Sequence, residues 1–211
     1  MILISVLFNQ IIFYIIVVLV SVLLIFLFIY PLIKHYRESH HFKNVCYKKI
    51  YAIAMFNDYY LINNLPIIKD NEIVAQIDHV LFSNKFMYVI KDIYFNEIVN
   101  GNIYDKVWLL YNKNGKTSEI NNPLMLNSFR CDKFSETKHI DRSFFISIVL
   151  VNDDIMMKNF DTMHGNNSYL CKRKDLTKLI KKIEKRNVSS FNAESLDKEV
   201  KSIADELGRK Y

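Results

Sequence analysis

The feature that most constrains this chain is its N-terminal segment, in which no charged side chain occurs before Lys34. From Ile11 to Tyr30 the residues are almost all Ile, Val, Leu, Phe or Tyr. A run of about 20 apolar residues matches the hydrocarbon thickness of a bilayer, where a helix satisfies its own backbone hydrogen bonds. A buried soluble helix would instead need apolar partners on every side. The segment therefore predicts one transmembrane helix in residues 1–34.

A cleaved signal peptide is the competing interpretation of this segment. It is disfavoured because no basic region precedes the apolar run and no small-x-small cleavage pattern occurs before Lys34. The nearest basic residues follow the run, among them Arg37 and Lys43. By the positive-inside tendency, we expect a single-pass membrane protein whose C-terminal domain is cytoplasmic.

The rest of the composition indicates one further domain without a zinc centre. The chain of 211 residues is long enough for one domain and an appendage. Cys46, Cys131 and Cys171 form no CxxC pair and no metal-type spacing, which fits a reducing compartment. The formal net charge of +6 is modest, although part of it is clustered.

The periodicity of apolar residues predicts a helix, four strands, a second helix, a further strand and two last helices after the apolar run. We expect strands at 59–65, 75–82, 86–93, 107–111 and 144–151. We expect helices at 44–56, 127–137 and 175–186, and a last helix capped by Asn192. Pro66 ends the first strand, and a turn at 83–85 joins the second and third as a hairpin. The predicted organisation is an anchor in 1–34, a juxtamembrane linker in 35–43, one domain in 44–187 and a C-terminal helix in 188–211.

Five short motifs follow one another in the predicted domain. They are Gln-Ile-Asp-His at 76–79, Val-Ile-Lys-Asp-Ile at 89–93, Gly101, Trp108, and Asn-Pro-Leu-Met-Leu-Asn at 122–127. Their order and spacing resemble the nuclease-related domain (NERD) family, whose fold is restriction-endonuclease-like. The resemblance covers residues 43–155 and implies an α/β fold with a mixed sheet, here preceded by the transmembrane helix.

The resemblance implies a metal-dependent nuclease site on two neighbouring strands. In the restriction-endonuclease-like scaffold, an Asp on one strand and a Glu on the next hold a divalent ion. Carboxylates suit this role because Mg²⁺ prefers oxygen ligands, and the ion acts as a Lewis acid toward the phosphate. A Lys two positions after the Glu orients or activates the attacking water, and the spacing puts both residues on one face of the strand.

This sequence keeps only one of the residues that the resemblance implies for that site. The family Asp corresponds to Asp78, but the Glu corresponds to Lys91 and the Lys to Ile93. In the last motif, the family Gln corresponds to Leu126 and the following His to Arg130. The family scaffold is therefore expected to persist without its catalytic groups.

A lysine at the position of the Glu works against a bound cation. At about 4 Å from a divalent ion, its charge would cost about 8 kcal/mol at an effective dielectric near 20. The family also carries a Glu on its first helix, whereas residues 41–57 contain no acidic residue. Asp78 is then either a relic metal ligand or the partner of Lys91 in a cross-strand ion pair. We favour the ion pair and expect no metal cofactor.

Three functions stay open at this point. The leading hypothesis is a membrane-anchored domain that has lost catalysis and acts by binding nucleic acid or a protein. The first alternative is an active nuclease that uses Mg²⁺ or Mn²⁺ with migrated ligands, in which Asp92 or Glu97 joins Asp78. Asp92 would need a register slip that turns its whole strand over. The second alternative is a structural interaction protein at the membrane.

A basic helix is predicted near the C-terminal end of the domain. Its lysines are Lys174, Lys178, Lys181, Lys182 and Lys185. They form a solvated face, a contact for anionic lipid headgroups or a nucleic-acid patch, and the sequence does not decide between these. Elsewhere, Trp108 is expected to be a core anchor rather than a base-stacking platform. Asn122 is expected to cap a helix that begins at Pro123.

Overall fold

The computed structural model describes residues 2–112, 114–165 and 167–207 of the chain. The chain folds as two compact units, one in residues 1–41 and the other in residues 42–211. Within the second unit, the described residues form an α/β fold that contains two sheets. The predicted fold class is therefore confirmed.

The first helix, α1, runs from Ile2 to Asn57. From Ile16 onward it is long and apolar enough to cross a membrane. Residues 35–43, which we predicted as a linker, are helical. The segment holds no Gly or Pro, and Lys34 and Glu38 form an i,i+4 ion pair at 3.9 Å, so nothing local interrupts the helix.

Ten strands occur within the described ranges. They are β1 (Tyr60–Lys69), β2 (Glu72–Phe82), β3 (Met87–Ile93), β4 (Ile98–Asn100), β5 (Val107–Tyr111), β6 (Thr117–Asn121), β7 (Phe145–Val151), β8 (Met156–Met157), β9 (His164–Gly165) and β10 (Ser168–Lys172). Six of them form one sheet in the order β1-β2-β3-β7-β10-β9, and four form a second in the order β6-β5-β4-β8. In the larger sheet β3, β7 and β10 are parallel, whereas β1, β2 and β3 are antiparallel.

Three further α-helices of the described residues follow α1 and cover the larger sheet. They are α2 (Pro123–Lys138), α3 (Leu176–Glu184) and α4 (Ala193–Glu206). One side of the sheet, the α3 face, is covered by α3 and by residues 42–54 of α1. The opposite side, the α2 face, is covered by α2 and α4. Every residue of β7 is buried because helices cover both faces, as its continuous apolar sequence predicted.

Most predicted elements are confirmed, with corrections at their ends. Pro66 does not end β1, which continues to Lys69, because an edge strand tolerates a residue without a backbone N–H. The helix predicted at 127–137 begins earlier, at Pro123. As expected, Asn192 caps α4, and its side chain accepts a hydrogen bond from the Ser195 backbone N–H at 3.1 Å. The short strands β4, β6, β8, β9 and β10 were not predicted.

Candidate functional site

The hairpin of β2 and β3 positions the residues of the expected nuclease site. Its turn is closed by the Ser83 N–H, which donates to the Phe86 carbonyl at 3.0 Å, as the predicted turn requires. The antiparallel register pairs His79 with Ile90. One step further along the two strands, Asp78 stands opposite Lys91. Because β3 alternates regularly, Lys91 lies with Met87 and Val89 on the α2 face.

Asp78 and Lys91 form the predicted cross-strand ion pair. The Lys91 Nζ donates to one carboxylate oxygen of Asp78 at 2.9 Å and lies 2.8 Å from the other. Both side chains are only partly buried, with 26% of Lys91 and 21% of Asp78 exposed. Both carboxylate oxygens therefore face an ammonium group rather than an open space beside a second carboxylate.

The other positions of the expected site add no metal ligand. Ile93 packs in the apolar cluster around Trp108. Leu126 is exposed on α2, and the Arg130 Nε donates to the Gln76 carbonyl at 3.0 Å. Across the ranges that the structure describes, no group of three His, Cys, Asp or Glu side chains is placed to hold a metal ion. A divalent ion with two carboxylates and a lysine, as the scaffold implies, does not fit these residues.

Asp92 lies on the α3 face, away from Asp78, and belongs to a buried polar network. Its carboxylate is 2.8 Å from the His79 Nε2, and the His79 Nδ1 is 2.6 Å from the Asn63 side-chain oxygen. The His79 ring therefore bridges Asn63 and Asp92. Glu97 accepts a hydrogen bond from the neighbouring Asn96 N–H at 3.1 Å. The structure brings neither Asp92 nor Glu97 to Asp78.

The role of His79 was not predicted from the sequence. Only 8% of this residue is exposed, and its ring lies 6.5 Å from that of Tyr47 on α1. The signal in the sequence was its place directly after Asp78, because neighbouring strand residues point to opposite faces. Because Asp78 points to the α2 face, His79 must point into the core on the α3 face.

The last motif fastens α2 to the two sheets. The Asn122 side-chain oxygen accepts from the Leu124 N–H at 2.9 Å, which confirms the predicted cap. The Asn127 amide donates to the carbonyls of Val89 and Ile148, at 2.9 and 3.2 Å. Its own oxygen has no partner among the described residues. Both asparagines are buried, and their contacts hold α2 in place.

Gly101 and Trp108 form a packed pair in the smaller sheet. Trp108 is fully buried, and its Nε1 donates to the Asn102 carbonyl at 2.9 Å. A Cβ on Gly101 would lie 2.3 Å from the Trp108 Cδ1. Trp108 is therefore a core anchor, as expected, and cannot stack on a nucleic-acid base.

The two cysteines beyond α1 are buried thiols, and the Cys171 Sγ donates to the Lys172 carbonyl at 3.3 Å. Burial raises the pKa of Cys131 to about 12 and that of Cys171 to about 12. Both are free thiols. A thiol of this kind stays protonated at neutral pH, so neither residue is a nucleophile or a metal ligand in the folded protein.

The lysines of the predicted basic helix lie far from this site in the fold, because α3 covers the opposite face of the sheet. All five are exposed: Lys174, Lys178, Lys181, Lys182 and Lys185. The structure therefore separates the two sets of residues that sequence analysis singled out.

Comparison with known proteins agrees with the motifs and the fold. The family model described as "Nuclease-related domain" matches residues 43–152, from the second part of α1 to the residue after β7. A comparison with curated proteins and one with solved structures each found no match. The match spans more than half of the 211 residues and contains all five motifs. This chain therefore belongs to the nuclease-related domain (NERD) family.

Proposed function

We propose that this protein is a membrane-anchored nuclease-related domain protein that does not cleave nucleic acid and acts by binding nucleic acid or a partner protein. The observation that carries the proposal is the ion pair of Asp78 with Lys91 at 2.8 Å. The family places a second metal-binding carboxylate at the position of Lys91. An ammonium there neutralises the charge that would attract a cation.

Loss of the remaining catalytic positions supports the same conclusion. Ile93 is packed among apolar side chains, so the position of the family lysine, which would orient a water molecule, is apolar here. The Arg130 side chain is engaged by a backbone carbonyl. Because Asp92 is bonded to His79 on the opposite face, it does not substitute for the missing carboxylate.

The retained scaffold supports a binding role. Asn122, Asn127 and Trp108 keep their structural contacts although the catalytic residues beside them have changed. These contacts hold α2 and the smaller sheet against the hairpin. Packing that is kept without the catalytic residues is what a domain that binds, and does not cleave, would require.

The anchoring part of the proposal comes from α1. The helix from Ile16 onward has the length and composition of a membrane span. The basic residues after it, beginning with Lys34, favour a single-pass arrangement with the folded unit in the cytoplasm. Protease digestion of right-side-out and inside-out membrane vesicles from expressing cells tests this orientation, because a cytoplasmic folded unit would be cut only in the inside-out vesicles.

The catalytic part is tested on the purified full chain in detergent micelles. We expect no cleavage of single- or double-stranded DNA or RNA with Mg²⁺ or Mn²⁺ beyond that of an Asp78→Ala variant prepared in parallel. Contaminating nucleases affect both preparations equally, so the comparison removes them. Cleavage by the natural chain that disappears in Asp78→Ala would overturn the proposal. Fluorescence anisotropy with the same nucleic acids measures binding separately.

A further inference from the structure

The outward side of α3, together with the residues that flank this helix, carries a lysine stripe, which we define as Lys174, Lys178, Lys181, Lys182 and Lys185. Four of these follow one another at spacings of four, three and four residues, which aligns them along one side of a helix. The fifth, Lys182, lies next to Lys181. The stripe is thus one continuous row of positive charge.

The stripe is not neutralised by its surroundings. The ion pairs formed among the described residues involve no lysine of the stripe. Glu184 points inward, and one of its oxygens accepts hydrogen bonds from Ser83 at 2.7 Å and Tyr88 at 2.5 Å. Asp175 is the exposed acidic residue at the start of α3. Asp153 accepts a hydrogen bond from the Lys174 N–H at 2.8 Å and is paired with Arg173. Five exposed lysines therefore lie near two carboxylates, one of which an arginine already neutralises.

The fold holds this row in place. Leu176, Ile180 and Ile183 are buried on the α3 face, so the helix cannot rotate about its axis without losing its core contacts. Glu184 fastens the C-terminal end of α3 to the hairpin of β2 and β3. Burial raises the pKa of Tyr88, and its hydrogen bond to Glu184 raises it further, so this hydroxyl remains a donor. The lysines are presented on a fixed surface.

The position of the stripe argues against a role in binding nucleic acid at the former nuclease site. Asp78 and Lys91 lie on the α2 face, whereas α3 lies on the opposite face of the sheet. A strand bound beside Asp78 would not reach the stripe without wrapping around the sheet. The stripe is therefore a separate surface for an anionic partner.

Two features favour lipid headgroups as that partner. The residues of α1 that cover the same face turn Tyr47, Tyr51 and Lys48 outward, and amphipathic rings beside lysines are favoured at a bilayer surface. The arginines that flank the stripe are engaged elsewhere, Arg173 with Asp153 and Arg186 with Asn167. The stripe therefore offers the point charges of lysine, which suit a diffuse headgroup field rather than bidentate phosphate recognition. Residues 34–41 join the folded unit to the apolar segment, which raises its effective concentration near lipid.

We propose that the lysine stripe of α3 docks on an anionic lipid surface. The proposal rests on the membrane anchoring of the proposed function and is independent of whether catalysis is lost. Each lysine near an anionic surface contributes about a fivefold gain in association. Several lysines acting together would hold the folded unit against anionic lipid and leave it free over neutral lipid.

The experiment measures how fast each lysine of the full chain is acylated in nanodiscs. One sample contains phosphatidylcholine alone, and the other also contains phosphatidylglycerol. We expect acylation of the stripe to slow about fivefold in the anionic nanodiscs and to recover at raised salt. Lys106, Lys116 and Lys158 are exposed on other parts of the fold and serve as internal controls that stay unchanged. Peptide mass spectrometry reads every site in one sample.

Two charge-reversal variants, each with three lysines replaced, test the proposal further. In Lys178→Glu/Lys181→Glu/Lys182→Glu, we expect Lys174 and Lys185 to lose their protection in anionic nanodiscs. The matched variant Lys106→Glu/Lys116→Glu/Lys158→Glu has the same net charge and should keep it. Equal acylation in both lipids would overturn the proposal. So would protection that appears in neutral nanodiscs when duplex DNA is added but not in anionic lipid, since nucleic acid would then be the partner.

Failure of the anchor is recognised separately, because an unanchored chain does not co-elute with nanodiscs on size exclusion. The stripe is then tested on that chain with added neutral and anionic vesicles, by the same acylation comparison. Protection by anionic vesicles would support the stripe although the anchor had failed. If the anionic vesicles gave no protection either, both the membrane anchor and the lipid docking of the stripe would be overturned.

Discussion

The Lys91 Nζ lies 2.9 Å from one carboxylate oxygen of Asp78 and 2.8 Å from the other, across two adjacent strands. The Lys91 ammonium group thus takes the place of the divalent metal ion that the family scaffold implies. A divalent ion would have to displace this lysine and would then lie beside its charge. The ion pair is partly exposed, so its own contribution to stability is small, roughly 0–1 kcal/mol.

Restoring the family pattern is therefore expected to restore metal binding. In Lys91→Glu/Ile93→Lys, the hairpin register puts a second carboxylate opposite Asp78 and a lysine two positions later on the same face. We expect this variant to bind Mn²⁺ in isothermal titration calorimetry, whereas the natural chain does not. Cleavage is not expected, because Leu126 and Arg130 still replace the other catalytic positions.

Two variants control this result. Lys91→Gln removes the ammonium without adding a carboxylate and should bind Mn²⁺ weakly if at all. Adding Asp78→Ala to the double variant should abolish the binding. The interpretation fails if the natural chain already binds Mn²⁺ with a heat that Asp78→Ala removes.

The buried pair on the opposite face is expected to matter far more for stability. The Asp92 and His79 side chains are 3% and 10% exposed, and their atoms are 2.8 Å apart. Weakening a buried hydrogen-bond partner leaves a polar group poorly satisfied, which costs about 1–3 kcal/mol. We expect Asp92→Asn to lower the free energy of unfolding by about 2 kcal/mol, measured by urea denaturation with Trp108 fluorescence.

Asp78→Asn is the matched comparison, because it makes the same change one residue before His79. Its partner is more exposed, so we expect a loss of at most about 1 kcal/mol. A double-mutant cycle with His79→Leu then measures the coupling of Asp92 to His79. Equal losses in Asp92→Asn and Asp78→Asn would show that the buried network does not carry the stability assigned to it.

Much of this fold followed from periodicity because its long elements are strongly patterned. The continuous apolar run of β7 is typical of a strand that is buried on both faces. The apolar residues of α3 recur at helical spacing, which is typical of a helix with one buried side. The ion pair of Asp78 with Lys91 also followed, because a short turn fixes the register of a hairpin. Sequence spacing was sufficient to predict contacts wherever elements that are consecutive in the sequence are also adjacent in the sheet.

The remainder depended on contacts that sequence spacing does not encode. Strands such as β8 and β9 are two residues long and form only where a longer strand offers a partner. The link between His79 and Asp92 also required knowing which face of the sheet α1 covers. Pro66 misled the prediction because its effect depends on whether the strand lies at an edge, and strand order is a tertiary property.

The buried thiols predict how stability changes at alkaline pH. Burial raises the pKa of Cys131 and Cys171 to about 12, from an ordinary value of 9.0. The folded state therefore holds these protons more tightly than the unfolded state. The stabilising contribution is complete below about pH 9 and is lost as the pH rises toward about 12. One pH unit above the unfolded pKa, each thiol accounts for about 1.4 kcal/mol of lost stability.

The measurement compares urea unfolding of the natural chain and of Cys131→Ala/Cys171→Ala at about pH 8 and about pH 10. At about pH 8 the variant is less stable because small cavities replace the thiol groups. Its loss of stability between the two pH values should nevertheless be roughly 3 kcal/mol smaller. If both proteins lose the same amount, the thiols are not the groups that titrate.

Gly101 is expected to tolerate no side chain, because of its contact with Trp108. A Cβ would lie 2.3 Å from the Trp108 Cδ1, and the indole is fully buried and bonded to the Asn102 carbonyl, so the ring cannot move aside. Overpacking of this kind costs about 1–3 kcal/mol. We expect Gly101→Ala to lower the urea midpoint and shift Trp108 fluorescence. Gly165→Ala is the control, because its Cβ would meet only the flexible end of Ile103, at 3.2 Å. Equal effects of the two substitutions would contradict the assigned contact.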